Sequence, residues 1–186
     1  MTDVIKCYTS FYIETGKPAM CGIVFSSATA KLPCFRYEPQ GEYLNGLLEL
    51  LIEKLAPLRG HMEGSYLHLE IHIHHKNTNF NVVLNKAIKA ADTARGYNGQ
   101  VQDNVIKHTL TRKDHHKPAC YEKMAALAKL LAEINEPAYC VTLTTWWDSK
   151  SPDQLAAYTA CQGAWNDRSA SEIEDFVTLE PGRAGN

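Results

Sequence analysis

Residues 66–77 read YLHLEIHIHHKN, and this stretch decides the fold class. Apolar side chains occupy alternate positions, namely Leu67, Leu69, Ile71 and Ile73. Because successive side chains of a strand lie on opposite faces of a sheet, the alternation predicts a strand with one buried face. Glu70 lies in the middle of the other face, between His68 and His72. The strand therefore carries a row of titratable groups opposite its apolar side.

Three strands are predicted before this one, and helices dominate after it. The earlier β-prone runs cover residues 3–13, 19–27 and 32–39. Apolar residues spaced by three and four predict helices over 42–58, 80–94, 119–134 and 152–165. A fifth strand is predicted over 100–111, and an extra strand over 137–147. These elements predict an α/β fold with a mixed five-stranded sheet flanked by helices, and an extra strand near the C-terminus.

The composition is typical of one globular domain. Of the 186 residues, 45% are hydrophobic, which is enough for a single core without disulfide staples. We expect residues 1–168 to form one domain and residues 169–186 to form an acidic, flexible tail with little to bury. The six cysteines form no C-x-x-C pair, so we expect them to be reduced core thiols.

Charge and targeting signals restrict the possible partners. The N-terminus has no secretory signal, and no run approaches the roughly 18 apolar residues of a membrane span. We therefore expect a cytoplasmic protein without membrane contact. A net charge of −2 gives no overall attraction to a polyanion, so any nucleic-acid contact needs a local basic patch.

Two sets of polar residues have spacings that occur together in one protein family. Glu70 is followed six and seven residues later by Lys76 and Asn77, and Lys107 is followed ten residues later by Lys117. In order and spacing these residues resemble the RuvC family of Holliday-junction resolvases, within the ribonuclease-H-like superfamily. The resemblance implies a ribonuclease-H-like fold, a homodimer and DNA as the partner, and it suggests a phage origin.

Two positions depart from the family pattern, and both lack an acid. A late helix in the family opens with two acids three residues apart, and here Asp153 matches the second while Lys150 takes the place of the first. The family also has a metal-binding Asp on its first strand, where this chain reads KCYTSFYI, with Thr9 or Ser10 at that place. The resemblance therefore implies a degenerate acidic site.

The resemblance also assigns candidate catalytic residues. Glu70 and Asp153 are the remaining carboxylates, Asp148 could supply a third metal ligand, and Lys117 would lie near the scissile phosphate. Cleavage by this type of site uses divalent cations held by several carboxylate oxygens. The expected cofactor is Mg²⁺ or Mn²⁺ if the protein is active, and none otherwise.

Each candidate also has a simpler interpretation. Glu70 could be a strand carboxylate paired with a neighbouring His or Lys. Asp153 follows Ser151 and Pro152 as helix-start residues do, because Asp is favoured at the positive end of the helix dipole. The histidine row offers a further alternative, since His72 and His74 are close enough along the strand to share a Zn²⁺ or Mn²⁺ ion.

A basic segment is the candidate nucleic-acid interface. The residues predicted to contact phosphates are Lys76, Lys107, Arg112, Lys113 and Lys117. The resemblance places this segment beside the cleft, although a solvated loop has the same composition. For the homodimer, we expect the helix after Lys76 to supply contacts through Val82, Val83 and Ile88.

Two functional hypotheses follow. In the first, the chain is a resolvase-like protein with impaired catalysis that binds branched or single-stranded DNA, or whose scaffold is reused for protein contacts. The alternative is a divergent Mg²⁺- or Mn²⁺-dependent, structure-selective endodeoxyribonuclease. Metal binding that depends on Glu70 discriminates between them, because only the nuclease requires it.

Overall fold

The structure is a computed structural model. It describes residues 2–26, 31–58, 66–73, 78–95, 100–111, 120–134, 142–147, 151–171 and 177–178. The strands are β1 Thr2–Tyr12, β2 Ala19–Ser26, β3 Lys31–Glu38, β4 Tyr66–Ile73, β5 Thr142–Trp147 and β6 Val177–Thr178. The helices are α1 Tyr43–Leu55, α2 Thr78–Ala94, α3 Asp103–Thr111, α4 Tyr121–Ile134 and α5 Pro152–Ser171. Short 3₁₀ turns, Gln40–Glu42 and Ala56–Leu58, flank α1.

The sheet is mixed, as the sequence predicts, and β1 lies near its centre. The described strands are ordered β5-β4-β1-β2-β3-β6. β1, β2 and β3 form an antiparallel meander, whereas β4 and β5 run parallel to β1 on its other side. In this register Tyr8 of β1 lies opposite Val24 on one side and His72 on the other, and Lys6 lies opposite Glu70. β1 thereby aligns the meander with the strand that carries Glu70.

Helices α1 to α4 cover one face of the sheet and enclose the main core. The alternation predicted for 66–73 is confirmed here, because Leu69, Ile71 and Ile73 are fully buried in this core. The predicted first helix is confirmed too, since α1 buries the leucines Leu47, Leu48, Leu50, Leu51 and Leu55. Glu70 and His72 consequently lie on the opposite face of β4.

Helix α5 packs on that opposite face, over β1, β2 and β3. A smaller cluster of Met20, Phe35, Cys161 and Trp165 joins it to the meander. The Trp165 indole donates a hydrogen bond to the Pro18 carbonyl at 3.0 Å. A Cβ at Gly22 would lie 3.0 Å from the Cys161 sulfur and 3.1 Å from the Phe35 ring. The absence of a side chain at Gly22 therefore lets α5 approach β2 closely.

The predicted fifth strand over 100–111 is wrong, because Asp103–Thr111 is helix α3. Its buried residues, Ile106 and Leu110, are four apart and pack in the main core. That spacing places them on one helical face, where a strand would require alternation. The described sheet instead takes the predicted extra strand as β5, beside β4.

The predicted boundary at residue 168 falls inside a helix, since α5 continues to Ser171. Two residues of the predicted tail, Val177 and Thr178, pair with Phe35 and Cys34 of β3. Residues 172–176 and 179–186 of the tail lie outside the described residues, and their flexibility stays a prediction. None of the helices in the described ranges combines the length and hydropathy that a membrane span requires.

Two other sequence expectations concern α2 and the cysteines. Val83 and Ile88 are partly buried against the protein's own core, and only Val82, which is 55% exposed, remains for a dimer contact through this helix. Cys140 lies outside the described residues, and the other five cysteines are buried and free. Burial raises the pKa of Cys161 to about 12, so its thiol stays protonated at neutral pH.

The docking of α5 on β2 predicts the effect of a substitution at Gly22. Gly22→Val places two further methyl groups where even Cβ is crowded, so we expect a loss of about 1–3 kcal/mol in the free energy of unfolding. Gly163→Ala is the matched control, because a Cβ at Gly163 meets nothing within 4 Å. In a helix this change should stabilise by up to about 1 kcal/mol. Urea unfolding of both variants checks the pair, and an unchanged Gly22→Val midpoint would contradict the packing.

Candidate functional site

The first turn of α5 meets the middle of β1 at Tyr8. The Tyr8 hydroxyl donates a hydrogen bond to Oδ2 of Asp153 at 3.3 Å. Tyr8 is only 3% exposed, so its ring is held between the sheet and the helix. Asp153 is the second residue of α5, where the positive end of the helix dipole favours a carboxylate.

Buried polar side chains fix this turn of α5 on β1. The Gln154 amide nitrogen donates to the Thr9 carbonyl at 3.0 Å, and the Ser10 hydroxyl donates to the Ala157 carbonyl at 3.3 Å. The Ser151 hydroxyl accepts from the Gln154 backbone N–H at 3.4 Å, so Ser151 caps the helix. The Gln154 side-chain oxygen is buried without a hydrogen-bond partner among the described residues. Asp153 is therefore positioned by its helix.

Glu70 and His72 form the second half of the site on β4. Their side chains approach to 3.2 Å between Oε2 and Nε2, and they are 16% and 13% exposed, respectively. The His72 ring lies 4.6 Å from the Tyr8 ring, measured between centroids. Thr9 also joins β1 to β4, because its hydroxyl donates a hydrogen bond to the His72 carbonyl at 3.0 Å. Tyr8 thus contacts both His72 and Asp153, and it connects the two carboxylates.

Lys31 of β3 adds a cation to the edge of the site. Its ammonium lies 3.5 Å from Oδ1 of Asp153. The two side chains are 65% and 53% exposed, and an ion pair this open to solvent stabilises by no more than about 1 kcal/mol. Lys31 can therefore leave Asp153 at little cost.

The electrostatics of the site keep Tyr8 neutral. Burial, and then the nearby carboxylate of Asp153, raises the pKa of Tyr8 from 10.0 to about 12. The charge of Glu70 contributes in the same direction. At neutral pH the Tyr8 hydroxyl is therefore protonated and donates a hydrogen bond to Asp153.

The structure connects only some of the residues selected from the sequence. Glu70 and Asp153 lie at one site, through Tyr8 and His72. Lys107 does not join them: it is exposed on α3, in the helical layer across the sheet from α5. This placement corrects the expectation that the whole basic segment lies beside the cleft. The other candidates, Lys76, Arg112, Lys113, Lys117 and Asp148, lie outside the described residues, as do His74 and Lys150.

Sequence reasoning missed Tyr8. The first-strand position was expected at Thr9 or Ser10, but Thr9 bonds to the β4 backbone and Ser10 lies under α5. Tyr8 is the β1 residue that contacts both Asp153 and His72. The signal that identifies it is the parallel pairing of Tyr8 with His72, which depends on strand register.

The carboxylates that the structure describes at this site are too few for a pair of divalent metal ions. Such a pair needs several carboxylate oxygens free to bridge it. Here each oxygen of Asp153 faces a protein donor, and one oxygen of Glu70 faces His72. Within the described ranges, no three or more His, Cys, Asp and Glu side chains are grouped to hold an ion. The described arrangement instead forms a hydrogen-bonded cluster around Tyr8.

Comparison with known proteins gives similarity of low sequence identity, and only to solved structures. No protein-family model matches the chain, and neither does any curated protein. Among solved structures, the chain is similar to one described as the crystal structure of LC9-RNase H1, a type 1 RNase H with the type 2 active-site motif. The TM-score is 0.47 and the sequence identity 11%, over 96% of this chain and 79% of that chain.

The raised pKa of Tyr8 predicts a specific dependence of stability on pH. The folded-state pKa lies above the unfolded value of 10.0. The contribution of Tyr8 to the free energy of unfolding is therefore complete below pH 10 and is lost as pH rises through about 12. Between pH 10 and 12 the free energy of unfolding should therefore fall less in Tyr8→Phe than in wild type, by up to about 2 kcal/mol. Urea unfolding of wild type and variant at a series of alkaline pH values measures the difference. Parallel stability curves for the two proteins would contradict the assignment.

Proposed function

We propose that this chain is a ribonuclease-H-like protein of the resolvase type whose acidic site is catalytically impaired, and that it binds branched or single-stranded DNA. The observation that carries the proposal is the position of Tyr8. A buried, neutral phenol contacts Asp153 directly and Glu70 by way of His72, on the strand where the family has a metal-binding Asp. A phenol protonated at neutral pH supplies no negative charge to a cation.

The charge around Tyr8 supports impaired catalysis. With Tyr8 in place, Glu70 and Asp153 are the described carboxylates of the site, and Lys31 and His72 are the described groups beside them. Lys31 repels a divalent cation and competes for Asp153. Positioned metal ions supply several kcal/mol of transition-state stabilisation. A site that does not hold both ions should therefore cleave DNA more slowly by orders of magnitude.

The DNA-binding part of the proposal relies on the basic segment. Lys107 is exposed on α3, at a shallow groove shared with α4. That groove also carries Asp103 and Glu122, and Lys129 lies 3.2 Å from Asp103. The charges of this groove are therefore mixed. We assign most of the phosphate contacts to Lys76, Arg112, Lys113 and Lys117, and we place Lys107 at the edge of this proposed interface.

Metal binding and cleavage test the catalytic part. We expect wild type not to cleave a four-way junction in Mg²⁺ or Mn²⁺, because the described part of the site has only two carboxylates to hold the ions. Tyr8→Asp combined with Lys150→Asp restores acids at the two departing positions and should increase the affinity for Mn²⁺ by at least about tenfold. Calorimetric titration with Mn²⁺ measures the affinity, and circular dichroism checks the fold of the variant.

One result would contradict the proposal of impaired catalysis and support the alternative, an active endonuclease. If wild type cleaves the junction and Glu70→Gln abolishes cleavage, the remaining carboxylates support catalysis after all. The matched control is Glu14→Gln, which removes the same charge from the exposed β1–β2 turn. It should leave both metal binding and cleavage unchanged.

Salt dependence tests the DNA-binding part. Replacing Lys107, Arg112, Lys113 and Lys117 with Ala should lower the slope of log affinity against log salt by about 0.9 for each duplex phosphate contact that is lost. Lys17→Ala is the single-charge control, because Lys17 lies on the β1–β2 turn over the Trp165 ring. Gel shifts with forked, four-way and single-stranded DNA measure the slopes. The absence of binding at about 50 mM salt would favour reuse of the scaffold for protein contacts.

The homodimer is part of the same proposal, with Val82 as the exposed apolar residue of α2 that can contribute. Val82→Arg should shift a dimer towards monomer, because a charged side chain would be buried at the two-fold contact. Light scattering measures the change. A wild type that is monomeric at about 100 μM would contradict this assembly without affecting the fold.

A further inference from the structure

A groove of about 210 Å³ lies between α5 and the β2–β3 hairpin, and it borders the hydrogen-bonded cluster around Tyr8. Val24 and Pro33 form its sheet side, while Ala156 and Ala160 line its helix side. These alanines end at Cβ, so α5 leaves an apolar space above the sheet. Tyr8, Lys31 and Asp153 line it as well, and they supply its described charges and its phenol.

The size of the groove limits what can enter it. Pockets for drug-sized ligands usually measure roughly 300–1,000 Å³, so 210 Å³ is suited to a single ring system. Its two sides are apolar, and they face each other across the space between a helix and a sheet. A flat molecule with two apolar faces would contact both sides at once.

The polar groups of the groove define the rest of the ligand. The Tyr8 hydroxyl is held by a ring that is 97% buried, and it reaches Asp153 across 3.3 Å. The Asp153 carboxylate can accept hydrogen bonds from N–H groups on the edge of a ring. Lys31 is 65% exposed, and its weak pairing with Asp153 lets it turn to an anion outside the groove. The matching ligand has apolar faces, N–H donors on its edge and an attached anion.

We propose that this groove binds one unpaired nucleobase, with the base between α5 and the β2–β3 hairpin and its phosphate on Lys31. The proposal rests on the proposed function and deepens it, because it specifies unpaired nucleotides as the part of the DNA that is recognised. A base has two apolar faces and a polar edge, and unpaired bases can leave the stack and enter a protein site. Bases within an intact duplex do not present their faces.

Two neighbouring residues of α5 provide a matched pair of test variants. Ala156 lines the groove and is exposed, so Ala156→Phe fills the space with little effect on the core. Leu155 is 60% exposed and does not line the groove, so Leu155→Phe adds a ring next to it as the control. Proton–nitrogen correlation spectra of the full chain report the fold and the binding together.

The experiment titrates wild type and both variants with AMP, CMP, adenosine and ribose phosphate. We expect AMP and CMP to shift the amide signals of Val24, Ser26 and Ala156, and ribose phosphate to leave them unchanged. Ala156→Phe should weaken AMP binding by at least about tenfold, and Leu155→Phe by less than about twofold. Lys31→Ala should weaken AMP binding and leave adenosine binding unchanged, because only AMP carries the phosphate.

Other outcomes would overturn the proposal. No shift at about 10 mM nucleotide, or equal affinities of Ala156→Phe and Leu155→Phe, would show that no base enters the groove. Forked-DNA binding by the same proteins separates this failure from that of the proposed function. If DNA binds but nucleotides do not, the groove assignment is wrong and the DNA-binding proposal stands. If AMP binds as expected but DNA does not, the groove assignment stands and the DNA-binding proposal is wrong.

Discussion

The hydrogen bonds that fix the first turn of α5 on β1 determine the rest of the site. Gln154 donates to the Thr9 carbonyl and Ser10 donates to the Ala157 carbonyl, and all the donor side chains involved are at least 98% buried. A protein hydrogen bond contributes about 0.5–1.5 kcal/mol, and removing one partner of a buried pair costs about 1–3 kcal/mol. The Lys31–Asp153 pair, exposed to solvent, contributes less. The backbone of α5, and not its ion pair, therefore places Asp153 beside Tyr8.

That placement gives one carboxylate two different environments. On its buried side Asp153 accepts a hydrogen bond from a phenol that stays protonated, and on its open side it faces an exposed ammonium and an apolar groove. The phenol leaves the charge of Asp153 in place, and the ammonium of Lys31 offsets part of it. The same carboxylate remains able to accept hydrogen bonds from a ligand. The proposed loss of metal chemistry and the proposed recognition of a ligand are therefore compatible at this residue.

Local patterns in the sequence were sufficient for much of the fold. The alternation in 66–73 predicts β4 and its two faces, because a period of two is a property of the strand alone. The leucine spacing predicts α1 in a similar way, because a spacing of three and four residues is a property of the helix alone. The β-branched residues Val105, Ile106 and Thr109 favour a strand over 103–111, whereas packing of Ile106 and Leu110 in the core determines the helix. Packing of this kind involves distant segments and is not visible in the segment itself.

The candidate site was predictable only in part, for a related reason. Glu70 and Asp153 could be selected from the residues around them. Tyr8 could not, because its role follows from the register between β1 and β4, which are separated by more than fifty residues. A shift of one residue in that register would place Cys7 or Thr9 on the site face in its stead. Strand register is set by contacts across the whole sheet, and a single sequence does not display them.

The outer edge of β3 has a consequence for solubility. Edge strands with long uncovered runs of backbone donors and acceptors promote pairing with other molecules, and proteins discourage this with lysine, proline and short covering strands. β3 has all three, since Lys31 is exposed, Pro33 has no N–H to donate, and β6 pairs with Cys34 and Phe35. A second chain meets no continuous ladder of free backbone groups there. The arrangement protects this edge against strand-by-strand aggregation while leaving the face above it open.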